Sequence, residues 1–113
     1  MGLCMAKTIT PQARDAARAL GAQVAGARRR RRWSTARLAE QAGISAPTLR
    51  KVERGDPSVA LGTAFDVAVL VGVTLFSANP SELAVLADNL VDRVALLGDR
   101  VVPISDDGLD DDF

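Results

Sequence analysis

Arginine is the residue type that offers the clearest chemistry in this sequence, and that chemistry is anion binding. Five arginines are consecutive at positions 28–32, and Arg50, Lys51 and Arg54 follow within one short segment. A guanidinium group stays charged at neutral pH and donates paired hydrogen bonds to phosphate. Consecutive residues encircle a helix, so only about two or three of the five can face one strand of a polyanion. The alternative is a solvated helix end, where cations are favourable by themselves.

The charge of the chain is strongly divided, although its net charge is zero. Residues 1–57 carry 12 Lys and Arg against 4 Asp and Glu, a net charge of +8, whereas residues 58–113 carry 2 against 10, a net charge of −8. A basic half of this kind predicts a polyanionic partner such as nucleic acid. The acidic half is expected to face protein or solvent.

Residue types that support catalysis or metal binding are scarce. The chain has no histidine, no tyrosine and one cysteine, Cys4. An enzyme would need Asp, Glu, Lys or Ser chemistry in a pocket that a helical domain of this size barely forms. We therefore predict no enzymatic activity, no metal and no cofactor. One cysteine, no long apolar run and no signal-peptide pattern predict a cytoplasmic protein outside the membrane.

Five helices are predicted to position the basic side chains, with no strand in the core. Helix-forming composition, cap residues and apolar spacing predict an all-α fold, a compact five-helix domain with a flexible acidic C-terminal tail. The predicted helices are residues 11–31, 34–42, 46–54, 61–71 and 80–97. The core is expected to consist mainly of Ala, Val and Leu, because aromatic residues are few.

Residues 34–55 have the pattern of two short helices joined by one tight turn. Ser34 and Ser45 can cap the two helices, and Gly43 permits the left-handed backbone that ends the first. Ala39, four residues before Gly43, is small where the two helices must cross closely. This is the sequence form of a helix-turn-helix, whose second helix, residues 46–54, enters the major groove of DNA.

The outward face of that second helix carries the predicted base contacts. These residues are Ala46, Pro47, Arg50 and Lys51. Arg50 and Lys51 can donate to guanine, whereas Ala46 and Pro47 offer only apolar contact. Because this set is thin, DNA shape is expected to carry part of the specificity.

The small and apolar residues of the segment support a family resemblance. Leu38, Ala39, Ala42, Gly43, Ile44, Leu49 and Val52, with the strings LAEQAGIS, TLRKVERG and DPSVALGT, resemble the helix-turn-helix of Xre/lambda-repressor-like DNA-binding proteins. The resemblance implies that Arg28 pairs with Glu53 and is oriented toward phosphate. It also implies that Trp33 packs in the core, with stacking on an arginine or a base as the alternatives.

Phosphate contacts are predicted around the base-contacting face. Thr35 and Arg54 match family positions that touch phosphate, and Ser34 can contribute through its hydroxyl or amide. The full predicted set is Ser34, Thr35, Thr48, Arg54, Arg28, Arg31 and Arg32.

The fifth predicted helix carries an apolar stripe with helical spacing. Its members are Leu83, Leu86, Leu90, Val94 and Leu97. The stripe can pack on the domain's own core or form the seam of a homodimer, which would reach two half-sites roughly 34 Å apart. The acidic tail is expected to be solvated, to order on a protein partner with Phe113 among its anchors, or to lie over the basic helix when DNA is absent.

The downstream sequence supports a narrower resemblance. The string ERGDPSVALGT, a helix reading LAVLADNLVDRVALL and a Val-Pro-containing tail ending in Asp-Asp-Asp-Phe resemble the HipB-like antitoxins. The resemblance implies a homodimeric repressor of double-stranded operator DNA. It also implies a type II antitoxin that neutralises a HipA-like kinase toxin and regulates its own operon. The alternative is a stand-alone Xre-family regulator with no toxin partner.

Four segments follow from these interpretations. They are a flexible N-terminus (1–10), a helix-turn-helix DNA-binding domain (11–76), a C-terminal helix for core or dimer packing (77–98) and an acidic tail (99–113).

Overall fold

The structure is a computed structural model that describes residues 8–98, and these residues form five α-helices and no extended strand. The helices are α1 (Pro11–Arg30), α2 (Thr35–Ala42), α3 (Ala46–Glu53), α4 (Leu61–Leu70) and α5 (Pro80–Leu97). The predicted all-α, five-helix fold is confirmed, and the helix ends agree with the predicted ends to within about one residue. The predicted acidic tail, including Phe113, lies outside the described residues.

Local side-chain caps start four of the helices. The hydroxyls of Thr10, Ser34 and Ser45 each accept a hydrogen bond from the backbone amide three residues later, at 3.0 to 3.2 Å. At the start of α5, Asn79 Oδ1 accepts from the Glu82 amide at 2.8 Å, and Glu82 Oε1 accepts from the Asn79 amide at 2.9 Å. These bonds satisfy amides that have no partner inside the helix. Residues only three positions apart therefore decide where these helices begin.

The end of α1 contains a strained residue. The Arg32 amide donates to Arg29 O and the Trp33 amide donates to Arg28 O, while Arg32 adopts a left-handed φ of +59°. The end of α2 has the same bonding pattern, but there Gly43 takes the left-handed position, with a φ of +69°. A residue with a Cβ pays a conformational cost in this region that glycine does not.

The substitution Arg32→Gly is therefore expected to stabilise the protein. We expect the free energy of unfolding to rise by about 0.5 to 1 kcal/mol, because relief of the left-handed strain exceeds the extra freedom of glycine in the unfolded chain. Urea denaturation measures the change. Arg31→Gly is the matched control. Arg31 has a right-handed φ of −82°, so glycine at this position should destabilise the protein. A less stable Arg32→Gly protein would contradict this account.

The chain divides into two compact units, and within the described residues these are 8–77 and 78–98. In the first unit, α1 packs on α3 and α4, and α2 packs on the same two helices. The core contains Val24, Ala27, Leu38, Ala39, Leu49, Val52, Val67, Ala68, Val71 and Leu75. These buried residues are all Ala, Val or Leu, as the composition predicted.

The apolar residues of this segment at helical spacing are Leu61, Ala64, Phe65, Ala68 and Val71, and they predict the inner face of α4. The structure differs at the first turn: Leu61 is 68 % exposed, whereas Val67, which is not in that pattern, is fully buried. Leu61 and Phe65 line an open apolar cavity of about 640 Å³ beside the first half of α1. The core therefore closes around the C-terminal half of α4.

Close approach of α1 and α3 depends on Gly21. A Cβ built on this residue would lie 2.6 Å from the Glu53 carbonyl oxygen and would also collide with the Val52 carbonyl oxygen. Gly21 is buried in the middle of a 20-residue helix. The two helix backbones therefore touch at this point, and this contact sets the position of the C-terminal end of α3.

The second unit contains α5, an 18-residue helix in which no residue is buried. The predicted stripe runs along it from the half-buried Leu83 and Leu86 to Leu97, which is 82 % exposed. An exposed apolar surface of this kind is typical of a binding face. None of the helices described is long and apolar enough to cross a membrane.

Candidate nucleic-acid interface

α3 has one buried face and one exposed basic face. Leu49 and Val52 are buried in the core, while Arg50 and Lys51 are exposed. The helix begins at the Ser45 cap, as described above, and its predicted base-contacting residues lie along its outer side. Of the two apolar members of that set, Pro47 is exposed and Ala46 is half-buried.

A single guanidinium group joins α1, α3 and the segment before α2. Arg28 Nε donates to Glu53 Oε2 at 2.6 Å, and Arg28 Nη2 donates to Glu53 Oε1 at 3.1 Å. Its Nη1 donates to the Trp33 carbonyl oxygen at 3.0 Å. The hydrogen bond to Glu53 raises the pKa of Arg28 above its ordinary value. Both side chains are nearly buried, at 11 % and 12 % exposed.

The arginine run spreads in several directions. Arg28 is bound to Glu53, and Arg29 lines a cleft with Arg50 and Arg54. Arg30 and Arg31 instead line a different cavity, of about 540 Å³, with residues 71–74 at the end of α4. The structure therefore separates Arg31, a predicted phosphate contact, from the cleft that holds Arg50 and Arg54.

Trp33 is half-buried and stacks on arginines. Its ring lies 5.4 Å from the guanidinium carbon of Arg31 and 4.7 Å from that of Arg37. The expected core position is therefore wrong, and stacking on arginine, the alternative weighed for this residue, is what the structure shows. Guanidinium groups are attracted to the face of an indole ring and leave it partly at the surface.

Four other predicted phosphate contacts lie at or near the ends of α2 and α3. Ser34 Oγ accepts from the Arg37 amide at 3.0 Å, and Thr48 Oγ1 accepts from Ser45 Oγ at 2.9 Å. Thr35 begins α2 and is half-buried. Arg54 ends α3 with its side chain 64 % exposed and 3.9 Å from Asp56.

The local environment of Asp56 is polar. The Ser58 hydroxyl and amide both donate to Asp56 Oδ1, at 2.7 and 2.9 Å. These bonds lower the pKa of Asp56 below its ordinary value. Its attraction to Arg54 is an exposed pair at long distance and is worth little.

Two arginines that lie beside predicted contact residues, Arg29 and Arg37, are absent from the set of DNA contacts predicted from the sequence. Arg37 stacks on Trp33, and Arg29 shares a cleft with Arg50 and Arg54. A signal for Arg29 was present, because Gly21, Ala25 and Arg29 recur every four residues and therefore share a helix face. No comparable signal identified Arg37.

The exposed face of α3 and the arginines beside it are suited to binding phosphate and the edges of bases. Its charged donors are arginine and lysine, and no group of three or more His, Cys, Asp or Glu residues in the described part of the chain could hold a metal ion. Arginine donors can bind phosphate through paired hydrogen bonds.

Comparison with known proteins gives one match. A family model described as a helix-turn-helix domain matches residues 19–75, just over half of the 113-residue chain. The matched range contains α2, α3 and α4 and the second half of α1. No significant match was found among curated proteins or solved structures.

Proposed function

This chain belongs to the helix-turn-helix domain family, of the Xre/lambda-repressor-like type, and on that premise we propose that it is a sequence-specific DNA-binding repressor. One observation carries the proposal. α3 buries Leu49 and Val52 and exposes Arg50 and Lys51 on its outer side, as a recognition helix requires. The proposed location is the cytoplasm, because the proposed partner is DNA.

The side chains take two kinds of role in this proposal. Arg50 and Lys51 donate to base edges in the major groove, and Ala46 and Pro47 pack against them. Phosphates are bound around that face, which fixes the register of the protein on the duplex. The proposed phosphate contacts are Ser34, Thr35, Thr48, Arg54, Arg28, Arg31 and Arg32.

A homodimer is the form in which we propose that the protein binds. One recognition helix of eight residues reads one half-site, and a symmetric pair reads two half-sites about one DNA turn apart. The apolar stripe of α5 supports the proposal, since Leu90, Val94 and Leu97 are all largely exposed. A second copy that presents the same stripe would cover these side chains.

Neutralisation of a HipA-like kinase toxin is the more specific part of the proposal. It is supported by the resemblance of the downstream sequence to HipB-like antitoxins, and the tail that carries part of that resemblance lies outside the described residues. A stand-alone regulator of the same fold is the alternative. Purification of the tagged protein from its native cell separates the two: a stoichiometric kinase supports the antitoxin, and recovery of the protein with DNA alone supports the regulator.

The proposed base and phosphate contacts predict different mutant phenotypes. We expect Arg50→Ala to reduce the preference for DNA from upstream of the protein's own gene over a mixed-sequence duplex, by about 1 to 3 kcal/mol. Arg54→Ala should weaken binding to both duplexes equally and reduce the salt slope by about 0.9. Fluorescence anisotropy over a salt series measures both quantities. A wild-type protein that binds neither duplex in a salt-dependent manner would refute DNA binding.

A further inference from the structure

A shallow cleft of about 320 Å³ lies between α1 and α3 and is lined mainly by arginines. Arg29 comes from α1 and Arg50 from α3, while Arg54 directly follows the last residue of α3. Ala25 and Glu53 complete the lining.

The positive charge of this cleft is poorly compensated. Its one acidic lining residue, Glu53, is already bound by both carboxylate oxygens to Arg28. Arg54 has only the long, exposed contact with Asp56. Within residues 8–98, neither Arg29 nor Arg50 forms a salt bridge. Like charges that converge without acids repel one another, and an anion between them removes that repulsion.

Helix register places Arg29 in this cleft. Gly21 touches the backbone of α3, Ala25 follows one turn later and Arg29 follows one turn after that. Arg30 is rotated by about 100° from Arg29 around the helix axis. It lines the cavity beside the end of α4 instead. Two adjacent arginines with the same charge therefore face different parts of the surface.

We propose that this cleft is a specific phosphate-binding site that holds one backbone phosphate of DNA. Arg29 donates from the α1 wall and Arg54 from the α3 wall. Arg50, one turn nearer the base-contacting end of α3, adds to the positive potential. The proposal rests on the proposed function and deepens it, because it assigns a phosphate contact to Arg29, which is not among the contacts proposed above.

The variants Arg29→Gln and Arg30→Gln test the proposal as a matched pair. Both remove one exposed charge from the same run, so the net charge of the two proteins is identical. The probe is a fluorescein-labelled mixed-sequence duplex of about 30 base pairs, titrated between about 50 and 200 mM salt. We expect Arg29→Gln to lower the magnitude of the salt slope by about 0.9 and to weaken binding several-fold, whereas Arg30→Gln leaves both near the wild-type values.

A charge-preserving variant adds a second criterion. Arg29→Lys should keep most of the salt slope but bind more weakly than wild type, because lysine retains the charge and loses the paired donors. Circular dichroism and urea midpoints verify that all three variants are folded, as expected for exposed side chains.

The outcomes separate this proposal from the proposed function. Equal losses in Arg29→Gln and Arg30→Gln would mean that the run acts as diffuse charge, and an unchanged slope in Arg29→Gln would mean that the cleft binds no phosphate. Either result refutes the proposed phosphate site in the cleft but does not refute DNA binding. Absence of salt-dependent binding by the wild-type protein overturns both.

Discussion

Glu53→Gln is expected to lower the free energy of unfolding by about 3 kcal/mol and to weaken DNA binding. The substitution removes the negative charge that Arg28 binds through two hydrogen bonds and leaves a nearly buried guanidinium group without its ion-pair partner. Breaking one side of a buried ion pair is costly because the remaining charge stays desolvated. Urea denaturation measures the stability, and anisotropy with the duplexes described above measures the affinity.

The sign of the change in DNA affinity distinguishes a positioning role of the Arg28–Glu53 pair from a simple effect of the protein's net charge. Glu53→Gln makes the protein more basic, so bulk electrostatics alone predicts tighter DNA binding. Arg28 also holds the Trp33 carbonyl oxygen, so loss of the pair loosens both the end of α3 and the segment that leads into α2. Weaker binding under conditions where the variant is folded would therefore support a positioning role. Tighter binding would refute it.

Asp15→Asn provides the control for Glu53→Gln. Asp15 forms an ion pair with Arg18 at 3.1 Å, but these side chains are 70 % and 68 % exposed. An exposed pair of this kind contributes little to stability. We expect a change below about 0.5 kcal/mol, so a large effect of Glu53→Gln would come from burial and not from the loss of any acid.

Gly21→Ala is expected to destabilise the protein by about 3 kcal/mol or to prevent folding. Helix propensity alone predicts the opposite, because alanine is favoured over glycine in a helix by about 1 kcal/mol. The added Cβ, however, would collide with the carbonyl oxygens of Val52 and Glu53, which are backbone atoms of α3 and cannot rotate away. The helices would have to separate, which would break core packing around Val24 and Leu49.

Gly26→Ala is the matched control in the same helix. A Cβ on Gly26 would meet only Arg30 Nη1, at 3.3 Å, the end of a flexible side chain. This variant should therefore gain stability, by up to about 1 kcal/mol. Urea denaturation of the two proteins gives the test, and equal stabilisation by both alanines would show that α1 and α3 are not in backbone contact.

Helix positions could be predicted because the interactions that set them are short in sequence. Ser34 and Ser45 bond to amides three residues away, and Gly43 ends α2 by its own φ. The capping box at Asn79 and Glu82 is equally local. The helix-turn-helix pattern, now supported by the family match, was visible for the same reason.

The directions of individual side chains could be predicted only in part. The sequence showed that five arginines cannot face one way, but it did not show that Arg29 faces α3 while Arg30 and Arg31 face the end of α4. Trp33 was expected in the core, but it is half-buried and contacts Arg31 and Arg37. Such directions depend on helix packing between segments distant in sequence.

The five helices, the turn between α2 and α3 and the basic character of the N-terminal half all follow from the amino-acid sequence alone. Hydrogen bonds between near neighbours and the charges of the side chains are sufficient for these properties. Which basic side chains come together on one surface depends instead on how the helices pack. The contact of Gly21 with the backbone of α3, and the bond of Arg28 with a carboxylate 25 residues away, bring Arg29 beside Arg50 and Arg54. No local pattern specifies these contacts, because they form only when α1 and α3 pack together.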